Sequence, residues 1–287
     1  MPQLRGGWRG ISLRSQGELR PDTAGTPNSE QNRVISIWEG AVPPAPGDYF
    51  TASEELQGET GMKRSKFSVM FTVVCLFSVL LCHAGEKSRL VANLESGKQQ
   101  TVVTYGTSLT DGATWVSELQ ASLERNYLGR SKVVNSGKGA MWSGWGVENL
   151  DKRVIEKKPD TVLIEFSIND AYLPYNTSVL QARTNLVNMI DRILKPNANC
   201  EIILMVMNPP VGVHLERRPL IKDYNQMYRD LAKDRKLLLI DHYPNWEKIL
   251  EGDTELFKKY VPDGIHPGPD GCKNVITPEI IRALGIK

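Results

Sequence analysis

A serine at the end of an apolar run is the first candidate for chemistry. The stretch VVTYGTSLTDG (102–112) passes from β-type residues through a glycine to Thr107 and Ser108, then into polar residues that open a helix. A strand-to-helix turn leaves backbone N–H groups unpaired and points the positive end of a helix dipole at its own first residues. A hydroxyl placed there can attack a carbonyl once a base takes its proton, and its own N–H can steady the oxyanion that results. Ser and Thr also cap ordinary helices, so Ser108 needs a base elsewhere in the chain before it counts as a nucleophile.

DGIHP (263–267) offers that base. A histidine that accepts a proton needs its second ring nitrogen held by an acceptor, usually a carboxylate. Asp263 and His266, three residues apart, can meet across one tight turn that Gly264 permits and Pro267 stiffens. The same dipeptides also make plain surface turns. FSINDA (166–171) places Asn169 just past the most apolar run of the chain, where its amide can donate to an oxyanion or cap the next element. NSGKGAMWSGWG (135–146) is a glycine-rich stretch whose backbone N–H groups at Gly139 or Ala140 are further donors, or simply a flexible loop. It lacks the spacing of a nucleotide-binding glycine loop.

Three other histidines are weaker candidates. His83 lies in an apolar leader and His242 is adjacent to Asp241, with which it cannot form the required contact. His214 sits in NPPVGVHLERRP and reads as a surface histidine, with a place on a pocket wall as the alternative.

These residues need a scaffold that collects them. Short apolar runs occur at 101–106, 132–136, 160–167, 201–208 and 236–241. Several are continuous rather than alternating, as in strands buried on both faces of a parallel sheet. Helical periodicity fills the intervals, with Val116, Leu119 and Leu123 at i, i+3, i+7, and similar spacing over 178–195 and 219–235. The closing segment 269–285 reads as a helix with an irregular start. The alternation predicts an α/β sandwich around a mostly parallel five-stranded sheet. Ligands of such sheets bind at the carboxyl ends of the strands, and Ser108, the glycine-rich block and Asn169 follow three consecutive strands.

Ser108, the glycine-rich block, Asn169 and Asp263-x-x-His266, in that order, resemble the SGNH hydrolases, also called the GDSL esterase/lipase family, over roughly residues 100–285. The resemblance implies a three-layer α/β/α, flavodoxin-like fold and hydrolysis of carboxylic esters. Carried over by position, Ser108 is the nucleophile, His266 the general base and Asp263 its orienting acid. Ser108 and Ala140, or Gly139 one residue earlier, donate to the oxyanion from the backbone, and Asn169 from its side chain. No metal or organic cofactor is implied. The chain departs from the family pattern at Thr107, where Asp is usual, at Ser167, where Gly is usual, and at Ala140, which stands where the counted oxyanion glycine falls.

The remaining sequence bounds the setting. Among 287 residues the net charge is +2, which gives no footing for nucleic-acid binding. Residues 1–61 are poor in apolar periodicity and rich in Gly, Pro, Ser and Thr, so they read as disordered or as an over-extended start upstream of Met62. Residues 62–84 have the layout of a secretory signal peptide: Lys63, Arg64 and Lys66, then the apolar run Phe67–Leu81, then small residues before a cut after Ala84. That run is short for a membrane span, which needs about 20 apolar residues. Cleavage would leave an exported chain whose catalytic domain spans residues 90–287, with no stable membrane span. If the extension is genuine, the run becomes a signal anchor and the domain still lies outside. After cleavage Cys200 and Cys272 are the cysteines left, able to pair if they lie close together.

The expected substrate is a small-molecule or polysaccharide ester, including short acyl groups on carbohydrate. Trp142, Trp145, Tyr172 and Tyr175 could stack on sugar rings or cap the core. A lipase, lysophospholipase or thioesterase is the alternative within ester chemistry, although no extended apolar loop is present to build a long acyl groove. An SGNH-type acyltransferase or a non-catalytic carbohydrate-binding partner is the alternative outside it.

Overall fold

A computed structural model describes residues 87–287. The expectations for residues 1–61 and for the signal peptide at 62–84 lie outside the described residues.

The chain runs α1 (Arg89–Glu95), β1 (Gln100–Gly106), α2 (Ser108–Asp111), α3 (Trp115–Asn126), β2 (Ser131–Asn135), α4 (Ser143–Arg153), β3 (Thr161–Glu165), α5 (Ser167–Asp170), α6 (Val179–Leu194), β4 (Glu201–Val206), α7 (Val213–Glu216), α8 (Ile221–Arg235), β5 (Leu238–Asp241), α9 (Tyr243–Gly252) and α10 (Thr254–Tyr260). It closes with α11 (Pro269–Gly271), a π-type turn over Cys272–Ile276, and α12 (Thr277–Leu284), which is the irregular start expected from the sequence.

All five strands are parallel and lie in the order β2-β1-β3-β4-β5, the flavodoxin-like arrangement. Every residue of β3 and β4 is buried, which explains the apolar runs 162–164 and 202–206 within them. On one face α4, α6 and α8 pack in series; α3 and α12 pack together elsewhere on the sheet. In α6 the buried residues Ala182, Leu186, Met189, Ile190 and Ile193 form one stripe, and Ser178 caps the helix by accepting from the Gln181 N–H. Burial of each of the four larger side chains contributes about 1.5–3 kcal/mol.

The helix α4 differs from expectation. Its first turns, Ser-Gly-Trp-Gly, read as a loop, because two glycines dilute helical propensity. The Asp170 carboxylate supplies what the local sequence lacks: its Oδ1 accepts from the Ser143 N–H at 2.8 Å. Helices α9 and α10 likewise have no counterpart among the expected elements. Among the described residues no helix is long and apolar enough to cross a membrane. Among the described residues Cys200 and Cys272 are both buried free thiols and do not pair with each other.

The order of the sheet creates the site. The chain leaves β1 for β2 on one side and returns to β3 on the other, so a crevice opens between the ends of β1 and β3. Ser108 follows the first and Asn169 the second.

Candidate active site

At the end of β1 the backbone turns sharply into α2. Thr107 is the N-cap, and its hydroxyl accepts from the Leu109 N–H at 3.2 Å. The same threonine reaches the other way, to Glu165 at the end of β3. Glu165 accepts from the Thr107 N–H at 2.6 Å, from its hydroxyl at 3.1 Å and from the Thr110 hydroxyl at 2.7 Å. Gly106 makes room for this carboxylate: a Cβ there would fall 2.2 Å from Glu165 Oε1. Thr107, in place of the family's Asp, therefore builds the turn by donating to an acid on the neighbouring strand. Burial pushes the Glu165 pKa up to about 7, against the hydrogen bonds from Thr110 and Thr107.

Ser108 sits at the first position of α2, and its Oγ lies 2.8 Å from His266 Nε2. His266 Nδ1 lies 2.6 Å from Asp263 Oδ2. Asp263 Oδ1 also accepts from the N–H groups of Ile265 and His266, at 3.0 and 2.7 Å. One carboxylate thus shapes the turn and holds the ring. Partial burial works to raise the Asp263 pKa, but the hydrogen bonds from His266 and Ile265 outweigh it and hold the carboxyl below its usual range. The 263–266 turn is itself tied to the end of β4, where Asn208 Nδ2 donates to the Ile265 carbonyl at 3.0 Å and the Val211 N–H to the Gly264 carbonyl at 2.9 Å.

The glycine-rich stretch after β2 arches over Ser108; a Cβ on Gly139 would lie 3.8 Å from Ser108 Cβ. Gly139 gives its N–H to Asp111 Oδ2 at 2.9 Å. Ala140 adopts a left-handed backbone, φ 59°, and its N–H, like that of Ser108, has no acceptor among the described residues. Tyr175 donates its hydroxyl to the Ala140 carbonyl. Asn169, 6% exposed, donates from Nδ2 to the Met141 carbonyl at 2.9 Å, which leaves its second amide hydrogen unspent. Ser108, Ala140, Asn169 and His266 share a cavity of about 410 Å³ with Tyr172, Tyr175, His214 and Arg218.

The remaining candidates separate cleanly. His214 lies on this cavity wall rather than on open surface. His242 is fully buried, both ring nitrogens lack partners among the described residues, and burial lowers its pKa to about 4. Trp145 packs inward on Tyr105, whereas Trp142 stacks on Tyr175 with ring centroids 4.8 Å apart. No local sequence signal marks Glu165, Asp111 or Arg218. Each makes its deciding contact with a residue at least 28 positions away.

Residues 103–273 match the GDSL-like lipase/acylhydrolase family. No curated protein sequence matches the chain. Among solved structures, the fold is similar to the acetylxylan esterase Axe2 from Geobacillus stearothermophilus, with 21% identity, a TM-score of 0.58, and coverage of 66% of this chain and 96% of that one. It is also similar to the lipase/acylhydrolase from Enterococcus faecalis, with 24% identity, a TM-score of 0.55, and coverage of 64% and 94%. With a five-stranded parallel α/β fold and a family match over most of its described length, the chain belongs to the GDSL-like lipase/acylhydrolase family and is a carboxylic ester hydrolase.

Proposed function

We propose that this protein is an exported serine esterase that removes short acyl groups, acetyl foremost, from carbohydrate through Ser108, His266 and Asp263. The observation that carries the mechanism is the continuous chain Ser108 Oγ–His266 Nε2–Asp263 Oδ2, at 2.8 and 2.6 Å, at the mouth of a cavity with three unspent N–H donors.

In the first step His266 Nε2 takes the Ser108 proton as Oγ attacks the ester carbonyl carbon. Asp263 holds the Nδ1 proton and balances the charge of the imidazolium. The carbonyl oxygen becomes negative against the N–H groups of Ser108 and Ala140 and the amide of Asn169. His266 then protonates the departing alcohol, leaving an acyl group on Ser108. Water enters, gives its proton to His266 and attacks the acyl carbon. Collapse returns the proton to Ser108 and frees the acid.

The carbohydrate part of the proposal is supported by Tyr172 and Tyr175 on the cavity wall and by a second cavity of about 220 Å³ that also borders Tyr172. Axe2 is described as an acetylxylan esterase, which fits the same class. Export is supported by the signal layout of residues 62–84; N-terminal sequencing of the protein recovered outside the cell should begin at Gly85. A second reading, longer acyl chains, is favoured by Leu173, Val213, Leu215 and Leu220, which are exposed on the segments bordering the two cavities. Hydrolysis of p-nitrophenyl acetate, butyrate and decanoate decides between them. The proposal expects kcat/KM to fall as the chain lengthens and acetate to be released from acetylated polysaccharide; a rise toward decanoate supports the second reading and rejects the first.

A further inference from the structure

The cavity holds one charged group that the mechanism above leaves unused. Arg218 is only 6% exposed. Its Nε donates to the Ile168 carbonyl at 2.7 Å, and Nη1 to the His214 carbonyl at 3.2 Å. Its guanidinium carbon lies 4.7 Å from the ring centroid of Tyr172. Among the described residues no carboxylate forms an ion pair with it, whereas Arg192, Arg229 and Arg282 each meet one. Taking a cation out of water is costly, and carbonyl oxygens and a ring face offset this less well than a carboxylate does. A cation kept unpaired on the wall of a cleft is placed to meet negative charge that arrives or forms there.

Its third hydrogen bond shows which charge. Nη2 points at Asn169 Oδ1, 3.5 Å away. An asparagine amide has an accepting end and a donating end, and rotation by half a turn exchanges them. The Met141 carbonyl demands the NH2 end on one side, and Arg218 demands the oxygen end on the other. Together they fix a single orientation. The long Nη2 contact is a weak hydrogen bond, but the charge acts on the amide dipole at that distance and polarises its N–H outward.

We propose that Arg218 is a positioning residue for ester cleavage: it fixes the Asn169 amide with its free hydrogen toward the oxyanion and sets an uncompensated positive charge behind it. The proposal rests on the reading of Asn169 as an oxyanion donor. It assigns Arg218 no contact with substrate and no proton transfer. Its effect belongs to the transition state, where the oxyanion exists, and not to ground-state binding.

The test is a double-substitution cycle in the full chain with p-nitrophenyl acetate, using Arg218→Met, Arg218→Lys, Asn169→Ala and the two combined forms, with folding checked by circular dichroism. Arg218→Met is expected to lower kcat by about 10- to 100-fold with KM changed less than about threefold. Arg218→Lys keeps the charge but loses the fork, and is expected to lower kcat by about 3- to 10-fold. In the Asn169→Ala background each should cost less than about threefold. Losses of equal size in both backgrounds, or an effect confined to KM, would overturn the proposal while leaving the esterase mechanism standing. If Arg218→Met does not fold, Arg218→Lys makes the same comparison and overturns or supports the proposal on the same terms. A wild-type rate in Asn169→Ala alone would remove the underlying reading of Asn169 and the proposal with it.

Discussion

Gly139 donates its N–H to Asp111 Oδ2 at 2.9 Å, and this bond decides which of two adjacent amides remains free to face a substrate. The next residue, Ala140, has no acceptor for its N–H among the described residues and a backbone at φ 59°. Left-handed backbone costs a residue with a Cβ about 1–2 kcal/mol, which gives a physical reason for glycine at this position in the family pattern. Ala140 keeps the donor and bears the strain, held in part by the Tyr175 hydroxyl on its carbonyl.

Ala140→Gly should therefore stabilise the fold by about 0.5–1 kcal/mol, after allowing for the greater freedom of glycine in the unfolded chain. Thermal unfolding should shift up by about 2 °C. The donor survives, so kcat/KM for p-nitrophenyl acetate should stay within about twofold of wild type. A lower melting temperature would contradict the strain argument.

Asp263→Asn tests the orientation of the imidazole. The asparagine oxygen can still accept from the Ile265 and His266 N–H groups, so the turn should persist. Its NH2 group would then face His266 Nδ1, which must become the acceptor. The ring proton moves to Nε2, where it blocks transfer from Ser108. The expected loss is about 10³- to 10⁴-fold in kcat with near-normal KM, read from steady-state kinetics.

Stability should fall as pH rises toward and through neutrality. Burial raises the pKa values of Glu165 and Asp170 to about 7, from 4.5 and 3.8. The folded chain then holds protons that the unfolded chain has lost, so these groups remove stability as pH climbs from the unfolded pKa to the folded one. His242 acts oppositely: burial lowers it from 6.5 to about 4, and stability grows with pH across that interval. Above pH 6.5 the histidine has only about 0.4 kcal/mol left to add, while both carboxyls are still titrating. Urea unfolding should show a loss of about 1–2 kcal/mol between pH 6.5 and 8. Glu165→Gln should remove about half of that slope.

The scaffold was legible where local sequence decides the outcome. The fully buried β3 and β4 need continuous apolar residues, and α6 needs its apolar stripe. Asp263 and His266 were legible because they meet within one turn. What escaped depends on residues far apart. Which of Gly139 and Ala140 keeps a free N–H turns on Asp111, 28 positions back. Helix α4 starts where Asp170, 27 positions on, caps it. Arg218 takes its meaning from Ile168 and Asn169, about 50 positions away. Glu165 ended an apolar strand and gave no sign that Thr107 would donate to it.

The central claim is that Ser108 carries the acyl group, and acid quenching during turnover of p-nitrophenyl acetate tests it most directly. Peptide mass spectrometry of the quenched protein should find an acetyl group on Ser108. Ser108→Ala should carry none and lose several powers of ten in kcat with its fold intact. An unacetylated Ser108 in active enzyme, or a wild-type rate in Ser108→Ala, would contradict the account.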